Sequence, residues 1–127
     1  MNDVAAKCIL SGREFFVSRM KWSDNVLVET PNDPGEVGVS GRYLHKSTPT
    51  GSCIISIKEE SSLESLVDYV GKLLPALRET GVQEIEFYVS IIYSDQGNWE
   101  LNPNIIGKLS NCGAHLLVSF AKQGNAE

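Results

Sequence analysis

Residues 61–93, SSLESLVDYVGKLLPALRETGVQEIEFYVSIIY, decide the fold. From Leu63 the apolar positions fall at Leu63, Leu66, Val67, Val70, Leu73, Leu74 and Leu77. That three-and-four spacing draws one apolar stripe down an α-helix, and such a stripe must face a core. Ser61 and Glu64 have the S-x-x-E spacing of a capping box, and Gly81 marks the end. Pro75 falls inside the pattern, where its ring opposes the carbonyl of Gly71 at a cost of about 3 kcal/mol. Because the stripe continues through Leu77, the helix is expected to kink there and not to break. Four residues beyond Gly81, Ile85, Phe87, Val89, Ile91 and Tyr93 alternate with Glu84, Glu86, Tyr88, Ser90 and Ile92. This is the period of a strand with one buried face.

Upstream, residues 5–11 read as a first strand that Gly12 ends or bends. Residues 13–21, with Phe15, Phe16, Val17 and Met20, fit a helical turn or an edge strand, and the strand is the favoured reading. Val26–Glu29 is a short β-branched run cut off by Thr30-Pro31, with Trp22 before it as a core or rim anchor. Residues 31–52 carry three prolines and four glycines without periodicity and read as a long loop. Ser52–Lys58 is the next strand, with Cys53, Ile55 and Ile57 on one face.

Downstream, Asn102-Pro103 pairs a cap residue with proline at the first helical position. Ile105, Ile106 and Leu109 are expected to face inward, and Gly113 to close the helix in a left-handed conformation. His115–Ala121 is the last strand, and residues 122–127 read as a frayed tail. The whole chain forms one α+β domain: a two-layer sandwich with a mostly antiparallel sheet and two helices on one face. A parallel crossover is open wherever a helix joins two strands, and its hand would be right.

The totals narrow the function. With 127 residues, 42% hydrophobic, the chain can bury a core without staples. A net charge of −5 opposes a nucleic-acid-binding surface, which needs Lys and Arg to displace counterions. Cys8, Cys53 and Cys112 are odd in number and show no C-x-x-C spacing, so neither a disulfide framework nor a zinc site follows. The first residues lack the pattern of a secretory signal, and no run of about twenty apolar residues is present. The expectation is a cytoplasmic protein without membrane contact, metal or cofactor.

No catalytic signature emerges. His45 and His115 are seventy residues apart, and His115 at a strand start reads as a rim residue. Glu84 and Glu86 share a strand face that is expected to be wet, whereas acid–base work needs one desolvated carboxylate. Three surface stretches stand out. In Asp95–Glu100, Trp99 is flanked by Asp95, Asn98 and Glu100, the make-up of a protein-binding hot spot, or else of a tryptophan folded back as a lid. Glu59 and Glu60 at the head of the long helix form a second acidic patch. In the long loop, Arg42, His45 and Lys46 could contact an anionic ligand, although the glycines lack phosphate-loop spacing.

The second half resembles a family of small bacterial domains that look like immunity proteins of contact-dependent inhibition and related toxin systems. The likeness rests on the leucine-rich helix with its late proline, the aliphatic strand, Trp99-Glu100-Leu101-Asn102-Pro103, Asn111-Cys112-Gly113-Ala114 and Leu117-Val118-Ser119-Phe120, and it spans residues 53 to 120. The resemblance implies a cytoplasmic inhibitor that binds one cognate toxin domain, often a nuclease, and assigns no functional residue. Under that reading Asp95, Asn98, Trp99, Glu100, Glu59 and Glu60 are the partner-binding candidates. The alternative is a small anionic-ligand binder or enzyme using Arg42, His45 and Lys46. A homodimer on an edge strand is compatible with either.

Overall fold

The computed structural model describes residues 3–37, 45–59, 62–94 and 99–123. Strands β1 (Asp3–Gly12), β2 (Val26–Asn32), β3 (Gly51–Ile57), β4 (Glu84–Tyr93) and β5 (His115–Lys122) form one sheet in the order β2-β3-β1-β4-β5. Helix α1 (Leu63–Glu79) joins β3 to β4, and α2 (Pro103–Cys112) joins β4 to β5. β1 lies in the centre, antiparallel to both β3 and β4. β3 and β4 therefore run parallel, and β4 also runs parallel to β5. Both helical connections step the same way across the sheet, and right-handed crossovers in one direction put both helices on one face. The helices touch there: Lys108 of α2 bridges Asp68 (2.7 Å) and Glu64 (3.6 Å) of α1. This is the expected α+β sandwich.

Helix α1 spans its proline without interruption and buries Leu63, Leu66, Val67, Val70 and Leu77. Facing them are Cys8, Leu10, Cys53, Ile55, Ile85, Phe87, Val89 and Ile91 of the sheet. Each large aliphatic side chain removed from water contributes about 1.5–3 kcal/mol, so the stripe outweighs the proline. The helix starts one residue later than the capping-box spacing suggests. Ser62 is the cap, its Oγ accepting from the Ser65 N–H at 3.3 Å, while Ser61 lies outside the described residues. At the other end the Arg78 guanidinium donates to the carbonyls of Val82 (3.2 Å), Gln83 (3.1 Å) and Cys112 (3.2 Å). One side chain thus ties the α1–β4 turn to the end of α2. Helix α2 has the expected cap, Asn102 Oδ1 accepting from the Ile105 N–H at 2.9 Å, and Gly113 is left-handed at φ 63°.

Five expectations need correction. Residues 13–21 do not form a strand. Phe15 N–H bonds to the Gly12 carbonyl at 3.2 Å and a 3-10 turn follows at Val17–Arg19, with Phe15 and Val17 buried and the Arg19 guanidinium 4.3 Å from the centre of the half-exposed Phe16 ring. Inward alternation of Phe15 and Val17 imitates a strand there. Thr30-Pro31 does not end β2, which continues to Asn32 through a register shift after Glu29, with Thr30 at φ 47°. The loop is accordingly 33–50 and not 31–52, and a Val37–Ser47 bridge narrows its base. Ile106 faces solvent, because the buried positions of α2, Ile105, Leu109 and Cys112, keep strict i, i+4, i+7 spacing. Lys122 belongs to β5 instead of a frayed tail, and the Gln123 N–H donates to the Tyr93 carbonyl at 2.6 Å. Residues 124–127 lie outside the described residues.

Glycines at close approaches hold the 3-10 segment against the sheet. A Cβ at Gly51 would collide with the Phe15 carbonyl, and one at Gly12 with the Gly81 carbonyl. Gly71, on the exposed side of α1, would meet nothing within 4 Å. Gly51→Ala is therefore expected to lower unfolding free energy by about 2 kcal/mol or more. Gly71→Ala should raise it by about 0.5–1 kcal/mol, because alanine costs less backbone entropy in a helix. Urea denaturation of the two variants beside the parent checks both signs.

Candidate functional site

The parallel relation of β3, β4 and β5 brings their carboxyl ends to one end of the sheet. The N-termini of α1 and α2 start from that same end, since each follows such a strand. Glu59, just after β3, and Trp99 and Glu100, between β4 and α2, thus share one rim although forty residues separate them. Glu59 is exposed and holds a left-handed backbone at φ 63°, and Glu100 is exposed. Trp99 is half-buried and packs against the core beside Leu101. That packing against the core is what the lid reading describes, and the residue is neither fully buried nor fully exposed. Glu60, Asp95 and Asn98 lie outside the described residues.

The other candidate patch sits at the opposite end, at the β2–β3 turn. His45 (φ 61°) and Lys46 are exposed there, and Arg42 lies outside the described residues. The base of this turn is held by polar contacts. Thr48 Oγ1 donates within reach of the Asp33 (3.3 Å) and Glu36 (3.2 Å) carbonyls, and Ser52 Oγ donates to Asn32 Oδ1 at 2.9 Å. Asp33 accepts from the Ser18 hydroxyl at 2.6 Å and the Ser18 N–H at 3.1 Å, and the hydroxyl bond, ahead of the backbone one, lowers its pKa below the ordinary carboxylate value. Beside it runs an open groove of about 380 Å³, lined by Met20, Trp22, Val28, Pro31 and Asp33 among others. Neither His45 nor Lys46 contributes to that lining. The position of Trp22 at the groove, half-buried against the core, agrees with a rim anchor.

His115 is exposed at the start of β5, paired in register with Glu86 on the sheet face that the helices leave without cover among the described residues. Glu84 is exposed on that same face. All three thiols are buried. Burial pushes the Cys53 thiol up to about 12 and raises Cys8 well above the ordinary value, with neighbouring Cys53 and Cys112 adding to the effect at Cys8. Burial also raises Cys112, against a smaller opposing pull from the Arg78 guanidinium. A reactive cysteine needs an electropositive, accessible site, so these three serve as core side chains. Among the described residues no group of three or more His, Cys, Asp or Glu is arranged to hold a metal, and no helix is long and apolar enough to cross a membrane.

One surface escaped the reading of the sequence. β5 exposes Leu117, Val118 and Phe120, although its pattern reads as an ordinary half-buried strand. The available signal was the apolar residues on both faces of the last strand, which alone does not distinguish a central strand from an edge. Compared with protein-family models, curated proteins and solved structures, the chain matches none.

The buried thiols lead to a specific alkaline behaviour. The native protein at pH 8 should resist a thiol reagent that labels all three cysteines after denaturation. The unfolded Cys53 thiol loses its proton near 9.0 and the folded one near 12, so the folded state binds more protons between those values. Stability consequently falls as pH rises through 9.0 toward 12. Urea midpoints across that window should decline less steeply in Cys53→Ala than in the parent.

Proposed function

We propose that this chain is a cytoplasmic inhibitor of the immunity-protein kind, which binds a cognate bacterial toxin domain, a nuclease, and neutralises it by occlusion. The observation that carries the reading is the convergence of Glu59 and Glu100 from separate connections onto one rim of a chain with net charge −5. A nuclease must attract phosphate and so presents Lys and Arg around its cleft. An acidic rim complements that surface, accelerates encounter and excludes nucleic acid from the same place. The exposed part of Trp99 adds an aromatic surface whose position the core already fixes, which lowers the ordering cost of contact. The same proposal takes the pattern of residues 53–120 as that of an immunity domain.

Co-expression with the C-terminal domain of a toxin encoded immediately upstream should restore growth and yield a stable complex. In that complex, joint Glu59→Lys and Glu100→Lys substitution is expected to slow association by about tenfold at low salt, with little change in dissociation. Stopped-flow measurement at two ionic strengths reads this directly. An unchanged association rate would remove the rim from the interface, and failure of rescue with several toxins would remove the inhibitor reading itself.

A further inference from the structure

The two edges of the sheet differ in kind. On β2, Thr30 turns left-handed at φ 47°, Pro31 has no N–H to donate, and the ladder slips after Glu29. Such features keep a foreign strand from adding to an edge. β5 has none of them. Its pairing with β4 runs without a shift from Glu86–His115 to Tyr93–Lys122, and Leu116–Ala121 contains no proline, glycine or charge.

The unguarded edge is also polar in the way a new strand requires. The Gln123 N–H reaches the Tyr93 carbonyl on β4 at 2.6 Å. Backbone groups alternate sides along a strand, so those of Leu116, Val118, Phe120 and Lys122 turn toward the free side. Side chains add apolar surface on both faces: Leu117 is 45% exposed, Val118 37% and Phe120 50%. Ile106 of α2, 51% exposed, lies on the same side of the sheet as Val118 and Phe120.

We propose that β5 pairs antiparallel with β5 of a second copy about a two-fold axis at Ser119, joining two five-stranded sheets into one. Charge selects the occupant. A partner chosen by opposite charge finds nothing to pair with between Leu116 and Ala121, whereas a second copy brings the same uncharged strip, so no like charges meet within it. The strand is self-complementary in this register. Val118 faces Phe120 of the second copy, and Phe120 faces its Val118, the β-branched and aromatic combination favoured across strands. Leu117 faces Ala121 on the other side of the sheet, and each Lys122 faces Leu116, so no like charges meet. Ser119 faces its own copy in a pair without hydrogen bonds, where Cα atoms approach to about 4.5 Å. Two eight-residue strands make a contact at the lower end of stable interfaces, which implies a reversible dimer.

Sedimentation of the full chain between about 10 and 500 µM should show the mass climbing from 13.9 kDa toward twice that value. Phe120→Lys, at a half-exposed position, should leave the circular dichroism unchanged and weaken dimerisation at least about tenfold. The native thiols are buried, so the S119C variant should form a disulfide-linked dimer under mild oxidation while the parent does not. A chain that stays monomeric throughout, a dimer indifferent to Phe120→Lys, or a dimer that S119C fails to cross-link would each overturn the proposal.

Discussion

The packing of α1 across β1 is the constraint from which the rest of the structure follows. β1 is the central strand of the sheet, bonded on one side to β3 and on the other to β4. To pass from β3 to β4 the chain must cross over β1. It does so with α1, whose buried leucines and valines need the apolar face that Cys8, Leu10, Ile85, Phe87, Val89 and Ile91 supply. Once that crossover is set, α2 has one side of the sheet open to it, next to α1. Lys108 and Arg78 then fasten the two helices by ion pairs and by hydrogen bonds to backbone carbonyls.

Two consequences of this arrangement bear on function. Strands β3, β4 and β5 end together, so their following connections present Glu59, Trp99 and Glu100 along one rim with the starts of both helices. Helices on one side leave the opposite sheet face and the β5 edge without cover from the described residues. The rim carries Glu59 and Glu100 together with Lys58 and Lys122, whereas the β5 strip from Leu116 to Ala121 is uncharged. The proposed β5 pairing would run along the length of the strand, whereas the proposed rim contact lies at the strand ends, so the two would not compete.

Local features of the chain differ in how much they disclosed. The α1 stripe, the β4 alternation, the Asn102-Pro103 start and the Gly113 stop depend on residues within one or two turns of each other, and each has the structure its pattern predicts. The segment 13–21 misled because Phe15 and Val17 are buried two residues apart, the spacing of a strand, although here Phe15 lies in the turn before the 3-10 segment and Val17 at its start. A local hydrogen bond from the Phe15 N–H to the Gly12 carbonyl makes the turn, and a remote contact, the Phe15 carbonyl against Gly51, holds it in place. Ile106 misled for a similar reason, since a ten-residue helix can be rotated slightly without breaking its apolar pattern.

By itself the sequence determined the identity and order of most elements and the α+β class, because periodicity, caps and turns act over a few residues. Only the tertiary structure decided the strand order, and with it which residues become neighbours. The order decides that β5 is an edge, that Glu59 and Glu100 share a rim, and that His45 and Lys46 stand at the far end. These outcomes follow from which strand pairs with which, a choice made by the summed burial of whole faces that no single segment encodes.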